Sequence, residues 1–154
     1  MNIECYNFTL SLSDIVLNIF KKHVQYDVHL PESGGILTGK LYEDLVEILN
    51  CSEPTVSDKQ SRYNFNRSYK AAQIFINEKF EKSKGKEIYL GEWHTHPEDN
   101  PTPSVTDIKN FTKTISKNKL NSNTHFMIII GIKSIYIGIY TERKLIENKN
   151  FIIE

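Results

Sequence analysis

His94, His96, Ser104 and Asp107 fall within one short span, "GEWHTHPEDNPTPSVTD", from Gly91 to Asp107. On an extended strand successive side chains alternate faces, so His94 and His96 point the same way and Thr95 points opposite. Pro97 ends the strand and "EDNPTP" turns the chain back. Ser104 then opens a helix on which Asp107, three residues further, shares its face. Two imidazoles and one carboxylate suit Zn²⁺, and three protein ligands leave the fourth position for water. Such an ion lowers the pKa of its water to about 7. Hydrolysis with that water needs a general base and a donor for the oxyanion that forms. Ser104 is placed to be the donor, and the base must come from elsewhere in the chain.

The elements that position these residues are legible from periodicity. "FTLSLSDIVLNIFKKHVQ" starts extended and becomes a first helix, with Ser13 or Asp14 as its cap. "GGILTGKLY" and "LVEILNCSE" read as two strands around a turn at Glu43-Asp44. "SEPTVSDKQSRYNFN" is polar and reads as a loop. "RSYKAAQIFINEKFEKSKG" is a second helix that Gly85 stops. "EIYLGEWHTH" is a strand, and "SVTDIKNFTKTISKN" a third helix. "THFMIIIGI" and "IYIGIYTE" are two apolar strands joined near Lys133-Ser134, and "KLIENKNFIIE" is a candidate last strand. The order αββαβαββ predicts an α/β (α+β) fold: one domain over residues 1–154, with a mixed, mainly antiparallel central sheet flanked by helices.

The span resembles the H-x-H…P-S-x-x-D signature of the JAMM metallopeptidases, also called the JAB or MPN+ family. The upstream "ESGGILTGK" is similar to that family's glutamate followed by a Gly-rich strand start. Together the two pieces most resemble the prokaryotic JAB branch, whose members occur beside E1-like and E2-like proteins in bacterial anti-phage operons, including those built on cyclic-oligonucleotide signalling. The likeness is close from Glu32 to Asp107 and elsewhere rests on the order of elements. It implies the JAB/MPN, cytidine-deaminase-like architecture. It implies that His94, His96 and Asp107 hold one zinc ion, that Glu32 is the general acid/base, and that Ser104 stabilises the oxyanion. It implies a peptidase or isopeptidase acting after the C-terminal residue of a ubiquitin-like protein, or on an E1/E2-made conjugate. E1/E2-like proteins and a nucleotidyltransferase are the partners it implies. A catalytically silent MPN-type scaffold is the alternative, and a relative in DNA metabolism shares the same core motif.

Each residue also has a plainer reading. His94 and His96 can be solvated at a strand end. Ser104 and Asp107 can form a capping box, and an Asp107 committed to a metal would not cap freely. Glu32 can be an exposed loop acid, and Glu92 can support a ligand from the same strand face. Trp93 reads as core; His23, His29 and His125 read as structural or exposed. Gly34 and Gly35 would let the strand backbone pass close to the site. Ser52 to Asn66 is a candidate to hold a substrate tail by strand addition.

The whole chain narrows the classes. Lys and Arg number 19, as do Asp and Glu, so the net charge is zero. That gives no electrostatic reason for nucleic acid or an anionic membrane as partner. The apolar run "FMIIIGI" is far shorter than the roughly 20 residues of a membrane span. No signal-peptide pattern opens the chain, so a cytoplasmic location is expected. Cys5 and Cys51 make no disulfide framework, and a bond between them is left open. A nucleobase deaminase would pair H-x-E with P-C-x-x-C, which this sequence lacks.

Overall fold

The computed structural model describes residues 1–56, 58–60, 65–66 and 68–153. Ten strands and three helices follow in the order β1 (Asn2–Glu4), β2 (Thr9–Leu12), α1 (Asp14–Lys22), β3 (Gly34–Leu41), β4 (Leu45–Cys51), β5 (Lys59–Gln60), β6 (Phe65–Asn66), α2 (Tyr69–Lys82), β7 (Ile88–Thr95), α3 (Val105–Lys117), β8 (Thr124–Ile130), β9 (Ser134–Thr141) and β10 (Lys144–Ile152). Eight strands form one sheet in the order β1-β2-β4-β3-β7-β8-β9-β10. Its pairs are antiparallel except β2 with β4 and β7 with β8. The mixed, mainly antiparallel sheet flanked by helices is therefore as expected.

Side-chain polarity separates the two faces. Val16 and Phe20 of α1 pack with Leu37, Ile48, Leu90, Trp93, Phe126 and Ile128 on one face. On the other, Phe111 and Ile115 of α3 cover Met127 and Ile129, and Ala72 of α2 covers Ile36 and Tyr89. The sheet curls, and its outer strands approach: the Tyr6 N–H donates to Glu147 Oε2 at 3.1 Å, and Lys149 Nζ donates to the Glu4 carbonyl. The helices start where small hydroxyls can cap them. Ser13 Oγ accepts from the Val16 N–H at 3.2 Å and Ser68 Oγ from the Ala71 N–H at 3.3 Å. Ser13, rather than Asp14, is thus the cap of α1. α2 ends at the left-handed Lys84-Gly85 pair.

The structure adds strands to the expected order. The extended N-terminal segment forms two paired strands, β1 and β2. The tail forms β10, joined to β9 by a two-residue turn in which Glu142 and Arg143 both have positive φ. That geometry matches the twist of an antiparallel pair. The expected loop from Ser52 carries the short β5–β6 pair. Residues 57 and 61–64 of the Ser52 to Asn66 segment lie outside the described residues. Cys5 and Cys51 are both free thiols, and burial pushes the Cys51 pKa up to about 12. Among the described residues, no helix is long and apolar enough to cross a membrane.

Candidate functional site

The end of β7, the loop before β3 and the first turn of α3 meet on the face covered by α2 and α3. A bulge sets the facing of β7. Gly39 pairs with Ile88 and Thr38 with Tyr89, but Leu37 pairs with Gly91, so Leu90 is an extra residue. Gly91 has φ +143°, and a Cβ there would lie 1.9 Å from the Phe126 carbonyl oxygen. Only glycine fits this combination of backbone shape and close approach. The bulge lets Leu90 and Trp93 both enter the core, while Tyr89 and Glu92 line the opposite side, between α2 and α3. Gly35, expected to make room near the site, makes room elsewhere: a Cβ there would meet the Ser52 carbonyl oxygen and the indole of Trp93.

His94 lies within β7 and His96 one residue past it, where its N–H still donates to the Ile130 carbonyl at 3.0 Å. The imidazole centroids are 4.9 Å apart. Asp107 Oδ2 lies 3.4 Å from His94 Nε2 and 3.2 Å from His96 Nε2. Glu32 Oε1 lies 3.9 Å from both Nε2 atoms. One ligand atom from each of these four residues lies within 4.8 Å of all the others, a cluster that could hold a metal ion. His94 Nε2 is buried and makes no hydrogen bond. A buried ring nitrogen beside a carboxylate and a second imidazole, with no hydrogen bond among the described residues, has the chemistry of a metal ligand. The donor set and the orphaned nitrogen therefore fit zinc.

Electrostatics follow from burial and crowding. Glu32 is only 5% exposed. Burial raises its pKa, and Asp107 adds to the rise, against the lowering pull of His94 and His96. Burial alone would raise the Asp107 carboxyl, but contacts from His94 and His96 and the Ser104 N–H hold it well below the usual carboxylate range. Burial opposes charge on His96; Asp107, with Glu32 and Glu98, outweighs it and raises the pKa.

Ser104 and Asp107 form a reciprocal capping box. Ser104 Oγ accepts from the Asp107 N–H at 3.0 Å, and Asp107 Oδ2 accepts from the Ser104 N–H at 2.8 Å. The capping-box reading of Ser104 and Asp107 therefore holds in the fold, with the same Asp107 Oδ2 also facing both imidazoles. The N–H donor approaches along the helix end while the imidazoles approach the same oxygen from the strand. Ser104 is exposed, and its Oγ serves the cap as an acceptor, so its O–H remains a donor.

Glu92 shares the histidines' face, but its carboxylate takes the Tyr89 hydroxyl at 3.3 Å. It lines a cleft of about 470 Å³ between α2 and α3. Trp93 is core, 1% exposed, with its Nε1–H donating to the Ser52 carbonyl at 2.9 Å. His23 caps α1 and meets Glu53 at 2.8 Å, and His29 is exposed. Two features escaped the sequence reading. Glu98 brings Oε2 to 3.8 Å from His96 Nδ1; its place two residues past a histidine was the available signal. Gln25, earlier on the same α1–β3 connection as Glu32, is 1% exposed, and no pattern in one sequence marks it.

Residues 16–142 match the family model described as prokaryotic homologs of the JAB domain. The chain belongs to that family. Among its relatives is a protein named CD-NTase/cGAS isopeptidase from Vibrio cholerae serotype O1, 38% identical over 75% of this chain and 71% of that one. Proteins of the same name from Escherichia coli and Pseudomonas aeruginosa are 36% and 34% identical, covering 86% and 83% of this JAB chain and 81% and 80% of theirs. A protein of Desulfitobacterium hafniense with a known solution structure shares the fold at 16% identity. Its TM-score is 0.57, over 94% of this chain and 91% of that one.

Proposed function

We propose that this JAB-family chain is a zinc-dependent isopeptidase that releases a CD-NTase from a covalent protein conjugate. The observation that carries the reading is the meeting of Glu32, His94, His96 and Asp107 in a chain whose relatives bear the isopeptidase name. His94, His96 and Asp107 would hold the ion. When bound, zinc supplies Lewis acidity that lowers the pKa of water to about 7. Glu32, with its pKa raised by burial, accepts the proton of the attacking water. It then passes that proton to the leaving lysine nitrogen. The Ser104 hydroxyl donates to the scissile carbonyl oxygen as negative charge builds there. Water and isopeptide become a carboxylate and an alkylammonium: one water proton reaches the lysine nitrogen through Glu32, and the second, lost as the new carboxyl group ionises, completes the ammonium.

On this reading the chain acts as one catalytic domain over residues 1–154, and the conjugate is built by E1/E2-like proteins with a ubiquitin-like carboxyl terminus at the bond. The test uses conjugated CD-NTase purified from cells that make it, with release read on a denaturing gel. Glu32→Gln should bind one zinc per chain yet cleave at least about 10²-fold more slowly. Removing zinc by EDTA dialysis should stop cleavage, and adding zinc back should restore it. Full activity in Glu32→Gln, or in the metal-stripped protein, overturns the reading.

A further inference from the structure

Glu32 lies near the end of the irregular connection between α1 and β3, residues 23–33, and that connection is tied down by its own Gln25 and by Thr95 of β7. Thr95, between the two histidines, is fully buried on the opposite side of the strand. Its hydroxyl oxygen accepts the Ser33 N–H at 2.9 Å. Its O–H donates to Gln25 Oε1 at 3.1 Å. Gln25 Nε2 donates in turn to the Leu30 carbonyl at 2.7 Å. The Thr95 N–H also donates to the Ser33 carbonyl at 2.9 Å, and Gly34 pairs with His94 as β3 begins. Leu30 and Ser33, on either side of Glu32, are therefore tied to one buried amide and one buried hydroxyl.

From this geometry we infer that Gln25, acting through Thr95 and the Leu30 carbonyl, is the positioning residue that sets Glu32 against the two imidazoles. The inference rests on the reading of Glu32 as the base. Thr95 belongs to the strand that presents both histidines, so a single hydroxyl references the base to the ligands. Gln25 holds the Leu30 carbonyl, on the opposite side of Glu32 from the Ser33 backbone that Thr95 holds. Both side chains are buried, so water does not replace the bonds if either is removed. Shifting a reacting group by about 1 Å costs on the order of 10²-fold in rate. Substrate binding need not suffer, because neither residue faces the cleft.

The test compares Gln25→Leu, Thr95→Val, the double variant and Thr95→Ser as zinc-loaded full-length proteins, with Glu32→Gln as reference. Conjugated CD-NTase is the substrate. The expected result is a tenfold to hundredfold fall in kcat for each single variant, with KM within about twofold and zinc content unchanged. The double variant should be no slower than the slower single one, because both break one relay. Thr95→Ser, which keeps the hydroxyl, should restore most of the rate. If Gln25→Leu does not fold, Gln25→Asn serves instead, since its amide is a methylene too short to reach both partners. Wild-type kcat in the single variants, or losses that multiply in the double variant, overturns the inference. If Glu32→Gln is inactive while these variants are normal, only the positioning role fails. If Glu32→Gln is fully active, the reading of the site fails first.

Discussion

His125 falls on the structural side of its sequence reading. It was open between structural and exposed, and it is 4% exposed. Neither ring nitrogen has a hydrogen-bond partner, and the ring lies 5.8 Å from that of Tyr89, centroid to centroid. Burial lowers its pKa to about 4 from 6.5. The unfolded chain therefore takes up the proton first as pH falls. Stability is complete above about pH 6.5 and drains away towards pH 4, by about 3 kcal/mol at most. His125→Phe should lack that loss, so the stability difference between variant and wild type should widen as pH falls from about 6.5 towards 4, while stability at pH 7 holds or rises. Urea unfolding at several pH values between 7 and 4 checks this. Parallel pH curves for the two proteins would show that His125 takes up its proton alike in the folded and unfolded chains, against this reading. The proposed site residues were easier to anticipate because their spacing is itself the signal: His94 and His96 two apart on a strand, Ser104 and Asp107 three apart on a helix turn. Gln25 has no such spacing, and only the folded chain brings it to Thr95.

At the scale of elements, regular periodicity was legible and its exceptions were not. α2 and α3 fall within the windows their apolar spacing marks, and β7 within its window. Alternation counted back from His94 would put Leu90 on the site face. The bulge at Gly91 reverses that, and a glycine in a strand is the only hint of it. β10 was uncertain because its turn, Glu142-Arg143, adopts left-handed geometry without glycine or asparagine. The start of α3 carries a prediction of its own, because Ser104 is both cap and proposed oxyanion donor. Ser104→Ala should cost about 1 kcal/mol of stability, whereas glycine at an N-cap costs only a few tenths. Ser104→Gly should therefore stay near wild-type stability and still lose about 10²-fold to 10³-fold in kcat. Thermal unfolding and conjugate cleavage, measured on both variants, separate the roles. Cleavage by Ser104→Gly at the wild-type rate would leave Ser104 as a cap alone.

Across the whole molecule, the two sheet faces divide the work. The α1 face holds the larger apolar core together with the buried Thr95–Gln25 pair, and the α2–α3 face holds both the cleft and the Glu32, His94, His96 and Asp107 cluster. Those four residues come from a loop, a strand and its end, and a helix, so an ion held among them links parts of the chain that the unfolded state separates. Binding to the native state alone stabilises by mass action, about 2.7 kcal/mol at a hundred times Kd. Zinc at that excess should raise the unfolding free energy of the wild-type chain, read from urea titration, by that increment. Asp107→Asn, which keeps an oxygen for the Ser104 N–H but lacks the charge, should show most of the increment gone. Ile128→Val, on the core face and fully buried, should start about 1 kcal/mol less stable and gain the same increment as wild type. Equal zinc stabilisation in Asp107→Asn and wild type would remove Asp107 from the ligand set. A reduced gain in Ile128→Val would mean that the two faces are coupled, and that core packing as well as the cluster governs metal affinity.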